Sequence, residues 1–161
     1  MSNTALIIKS ATDSWFQQIS RIDKLMDSFT DEQLESEIAP NKNRGIYLLG
    51  HLAAVHDRML PLLNFGDQLY PQLENIFLTN PDRAIIDIPL TSELRKYWKT
   101  VNEMLASYID RLQPEEWLHK HTAVSEEDFK KEPHRNRLNV LLNRTNHASY
   151  HFGQLALLKK K

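Results

Sequence analysis

The stretch RLNVLLNRTNHASYHFGQLALLK, residues 137–159, carries the pattern that decides the fold. Leu138, Leu141, Leu142, Thr145, Ala148, Phe152 and Leu155 recur at steps of three and four, which places them on one side of an α-helix and on no single face of a strand. The last turn is basic, as the negative end of a helix dipole favours. His147 and His151 stand four apart, which sets two imidazoles about 40° from one another on the wheel, close enough to grip one ion. Both lie at the margin of the apolar stripe, near Leu155 and Leu158, and so are expected to point into a bundle rather than straight to water.

Three further stripes repeat the pattern. Trp15, Ile19, Ile22, Met26 and Phe29 mark a helix from about Thr12 to Phe29, with Asp13 near its positive end. Thr30 three positions before Gln33 reads as a capping box that opens a brief helical turn, and Pro40 closes that piece. Leu48, Leu52, Val55 and Met59 mark a second long helix from Gly45 or Ile46 to Leu60, stopped or kinked at Pro61. Leu94, Trp98, Val101, Leu105, Tyr108 and Leu112 mark a third, capped by Thr91 or Ser92 and ended at Pro114. Between the second and third, Leu69, Leu73, Ile76 and Phe77 suggest a short helix, with Ile85 to Ile88 extended; 115–136 reads as a polar connection. Four long amphipathic helices without a convincing strand specify an all-α protein, an antiparallel four-helix bundle formed by one domain over residues 1–161.

Composition narrows the chemistry. Hydrophobic residues make up 41% and charged residues 25%, a balance that supports a packed core. The formal net charge of -1 supplies no field for general nucleic-acid or anionic-membrane binding. Lys130, Lys131, His134, Arg135 and Arg137 alternate with Glu126, Glu127, Asp128 and Glu132, and read as a solvated loop. With no cysteine, any metal must sit on nitrogen or oxygen. No run approaches the roughly 20 apolar residues of a membrane span, and a cytoplasmic location is the default expectation.

A third ligand must join His147 and His151 from elsewhere. His51 and His56, both on the second helix, flank its stripe on opposite sides, and periodicity does not choose between them. Gly153 inside a helix calls for a reason such as close approach of a neighbouring helix or ligand, since glycine there costs roughly 1 kcal/mol against alanine. Gln154 either bonds a ligating histidine from behind or is exposed. His119 and His121 read as surface loop residues, the three tryptophans as packing, and Asp57 as a weak candidate for a base. The HExxH, Walker, dinucleotide and GxSxG motifs are absent.

The segment Asn146-His147-Ala148-Ser149-Tyr150-His151-Phe152-Gly153-Gln154-Leu155 resembles the last-helix signature of the DinB/YfiT-like family, and Leu49-Gly50-His51-Leu52 resembles the segment that supplies that family's first histidine. The resemblance implies a divalent-metal site on His51, His147 and His151, with zinc or nickel foremost and iron or manganese as further options. It also implies a homodimer. Activities in the family make a thiol-dependent S-transferase the leading expectation, its partners a small-molecule thiol and an electrophile. The alternatives are a hydrolase using metal-bound hydroxide and a non-catalytic, metal-stabilised binding or stress-response protein.

Overall fold

The structure, a computed structural model, describes residues 2–160. Among the described residues it contains no strand and seven α-helices: α1 (Asn3–Asp27), α2 (Asp31–Glu35), α3 (Gly45–Asp57), α4 (Met59–Leu62), α5 (Thr91–Ile109), α6 (Glu126–Lys131) and α7 (Arg137–Leu155). None of the described helices is long and apolar enough to cross a membrane.

Local chemistry explains the boundaries. α1 starts at Asn3 rather than near Thr12, because the Ser2 hydroxyl accepts from the Ala5 N–H at 3.1 Å and caps an earlier turn whose Leu6 and Ile7 stay exposed. The capping box opening α2 forms as expected: Thr30 Oγ1 accepts from the Gln33 N–H, and Gln33 Oε1 from the Thr30 N–H. α3 stops at Asp57, earlier than Leu60, since the Pro61 ring excludes the carbonyl four residues back. Pro61 is then tolerated in the first turn of α4, where an N–H has no helical partner. Ahead of α5 the cap is not a hydroxyl; Glu93 Oε2 accepts from the Leu90 N–H at 2.9 Å. The polar connection holds α6 and a 3-10 turn, Pro114–Leu118, that buries Trp117.

The four long helices close a ring in which α1 packs on α7, α7 on α3, α3 on α5 and α5 on α1. Gly45 lies against Leu34 and Leu158, while Arg95 pairs with Asp31 and donates to the carbonyls of Met26 and Phe29. The C-terminal ends of α1 and α7 therefore meet the N-terminal ends of α3 and α5. Two helices run each way: α1 opposes α5 and α3 opposes α7, while the neighbours α1 and α7, like α3 and α5, run alike. Apolar stripes are compatible with either arrangement, and the long connection 58–90 lets α3 and α5 share a direction.

That connection is pinned at both ends of α3. At one end the buried Asp57 carboxylate accepts from the N–H groups of Leu69 and Tyr70, each at 2.8 Å. Asp57 is thus a structural anchor, not the base considered from sequence: its oxygens are committed to backbone and it is shut away from solvent. At the other end Asp82 accepts from the Arg44 guanidinium at 2.6 and 3.1 Å and from the Arg44 N–H at 2.8 Å.

His56 belongs to the core. Its ring lies between those of Trp15 and Trp98, with centroids 4.9 Å away on each side. Asn102 Nδ2 donates to the Trp98 carbonyl, which turns Oδ1 toward His56 Nδ1 at 2.9 Å and makes that nitrogen the donor. Complete burial pushes the His56 pKa down to about 3. The unfolded chain, with a histidine near 6.5, then binds more protons between those values, so stability is full above about pH 6.5 and falls on acidification. Between pH 6.5 and 5 this one residue contributes on the order of 2 kcal/mol of loss. Urea unfolding across that window is expected to show a shallower pH dependence for His56→Gln than for wild type.

Candidate metal centre

Gly50 decides how the 64–89 segment meets α3. A β-carbon at residue 50 would stand 2.4 Å from the Phe77 ring, so only glycine lets that ring seat on the helix. Phe77 lies in a π-helical turn, Asn75–Thr79, where sequence suggested an ordinary short helix; Tyr47 ties the turn down by donating to the Asn80 carbonyl at 2.7 Å. The Phe77 carbonyl consequently reaches His51 Nδ1 at 2.9 Å. A carbonyl only accepts, so Nδ1 carries the proton and the lone pair of His51 is on Nε2.

A parallel arrangement operates on α7. His151 Nδ1 lies 2.7 Å from Gln154 Oε1, whose orientation is set by Gln154 Nε2 donating to the Tyr150 hydroxyl at 3.1 Å. His151 therefore also keeps its lone pair on Nε2. Both nitrogens converge on His147 Nε2, each at 3.1 Å. His147 Nε2 carries at most one hydrogen, and its Nδ1 is buried without a partner. Three such nitrogens bound at about 2.0–2.1 Å to one tetrahedral ion would lie roughly 3.3–3.4 Å apart, so the two 3.1 Å separations need to open by only a few tenths of an ångström.

Of the sequence candidates, His51, His147 and His151 form a group that can hold a metal ion, and no carboxylate is part of it. His56 is excluded by its place in the core, and Gln154 is explained by its bond to His151. Burial lowers the pKa of all three imidazoles; His147, further opposed by charge on His151 and His51, is pushed down to about 4. The group is therefore neutral near pH 7, the state in which imidazole donates to a metal. The Phe77 carbonyl was not foreseeable, because a main-chain acceptor leaves no side-chain signature. A separate cavity of about 650 Å³ between α1 and α5, lined by Trp15, Ile19, Met26, Trp98 and Asn102, includes none of the three histidines.

No neighbouring helix supplies the reason for Gly153: no other element approaches within 4 Å of where its β-carbon would stand. The two glycines should respond oppositely to alanine. Gly153→Ala is expected to raise stability by up to about 1 kcal/mol by helix propensity, without loss of metal. Gly50→Ala, by displacing the Phe77 ring, is expected to lower both thermal stability and metal affinity, read by thermal unfolding and metal titration.

The family model described as the DinB superfamily matches residues 16–155. A crystal structure of a conserved protein from Enterococcus faecalis is similar over 100% of this chain and 99% of its own, at a TM-score of 0.64 and 20% identity, a likeness of fold. No protein with a curated description matches significantly. The family match runs from the middle of α1 to the end of α7 and contains all three clustered histidines, and on that evidence the chain belongs to the DinB superfamily.

Proposed function

We propose that this protein is a metal-dependent enzyme that joins a low-molecular-weight thiol to an electrophile, with His51, His147 and His151 as the metal ligands and zinc or nickel as the metal. The observation that carries this reading is the convergence of three neutral Nε2 atoms, two of them with their tautomers set by the Phe77 carbonyl and Gln154. Three protein ligands leave room for a substrate on a divalent ion. When bound, that ion supplies Lewis acidity with its full charge uncompensated by protein, which favours the thiolate, the nucleophilic form of sulfur. In the reaction a sulfur–carbon bond forms, the thiol proton passes to solvent and the leaving group departs with its electron pair.

The protein's own part is positional. α3 and α7 hold the imidazoles across a helix–helix seam, and the Asp57 and Arg44–Asp82 anchors keep the Phe77 turn from drifting. Thiol chemistry is favoured over hydrolysis because among the described residues no carboxylate joins the group to take a proton from water, and Asp57 is occupied by two backbone donors. Elemental analysis of the purified protein is expected to find a near-stoichiometric transition metal that is lost in His147→Ala/His151→Ala. The loaded wild type is expected to consume thiol with an electrophile such as a halogenated nitrobenzene, and the variant is not. Metal without turnover of any thiol would assign the histidines to a non-catalytic role; no metal after incubation with zinc and nickel would end the reading.

A further inference from the structure

Arg144 lies on the histidine-bearing face of α7, seven residues after Arg137 at the helix start. It precedes His147 by three residues and His151 by seven, so the three side chains form a single row, with Arg144 about 4.5 Å of helix rise from His147. It is half-buried, and among the described residues its guanidinium makes no hydrogen bond and no ion pair. Its charge adds to the lowering of the pKa at His51, His147 and His56, which burial dominates.

Among the described residues no acidic side chain pairs with it. Arg58 caps the C-terminal end of α3, seven residues after His51, and because α3 and α7 run in opposite directions both arginines fall toward the same end of the histidines. Desolvation and then repulsion from Arg58 lower the Arg144 pKa. Arg58 itself is loosely held, its Nε 3.4 Å from Glu74 Oε1, an oxygen that also accepts from Gln68 Nε2 at 2.9 Å. None of the Arg144 nitrogens is both buried and unpartnered, so the planar donor fork is open to a ligand, and it matches a carboxylate.

We propose that Arg144 is the substrate-recognition residue of the metal centre and selects a ligand carrying a carboxylate about one helical turn from its metal-binding atom. This rests on the metal reading above and narrows the thiol to an acidic one. The carboxylate accepts two N–H bonds from Arg144, and Arg58 adds long-range attraction.

Binding to cobalt-loaded wild type and Arg144→Gln tests it, with the visible absorption of the metal as the readout and metal content checked in both. The probes are 3-mercaptopropionate, which has both groups, 2-mercaptoethanol, which lacks the carboxylate, and propionate, which lacks the thiol. Wild type is expected to bind 3-mercaptopropionate at least about 10-fold more tightly than 2-mercaptoethanol; Arg144→Gln should erase that advantage and leave 2-mercaptoethanol unchanged. The unliganded variant is expected to be no less stable than wild type, since it loses only an unpaired charge. Arg144-dependent binding of propionate with no response to either thiol would uphold the carboxylate site while removing the thiol reading. An equal affinity for the two thiols in wild type, or an advantage that survives in Arg144→Gln, would overturn the inference.

Discussion

A phenyl ring resting where residue 50 would otherwise carry a β-carbon is the contact on which the metal centre depends. Glycine at that position brings the 64–89 segment against α3 more closely than any side chain would permit. The Phe77 carbonyl thereby becomes the acceptor for His51 Nδ1, and the opposite nitrogen of the ring is left with its lone pair facing α7. Two buried carboxylates, Asp57 and Asp82, hold the segment at the two ends of the helix. A glycine, a π-helical turn and two anchors thus combine to set the tautomer of one imidazole.

α3 shows how one helix separates structural from chemical histidines. His56 enters the bundle between two indoles and gives its one proton to Asn102, filling the core as a neutral ring. His51, less than two turns earlier, faces the seam with α7 and meets His147 and His151. Burial depresses the basicity of all four, for the same desolvation reason, but only the three at the seam bring their lone pairs together.

Electrostatics give that seam a consistent sign. The ligand set is neutral and no carboxylate is part of it, while Arg144 and Arg58 stand to one side. A divalent ion bound there would keep its charge, with Arg144 unpaired among the described residues and Arg58 paired only with Glu74. An anionic small molecule is the natural complement of such a surface. The α1–α5 cavity, lined by apolar residues with both acidic and basic side chains at its rim, has a different character and is spatially distinct.

Much of this was legible in the chain itself. Steps of three and four in 12–29, 46–59, 94–112 and 138–155 determine helices because only the α-helical period puts those residues on one side, and the His147/His151 spacing determines a shared face for the same reason. Capping and proline positions located α2 and the stops near Pro61 and Pro114, since those effects act within a few residues. Local pattern does not carry the ring order, the shared direction of α3 and α5, or the choice between His51 and His56, which periodicity left open until family resemblance favoured His51. Those depend on which faces meet across the bundle. Nor could it show that no neighbouring helix crowds Gly153 while Phe77 crowds Gly50, because a glycine's surroundings are set by what other segments bring near it. The sequence by itself determined the helices and the paired histidines; only the tertiary structure, by bringing Phe77 and Gln154 to the backs of two imidazoles, decided where their lone pairs point.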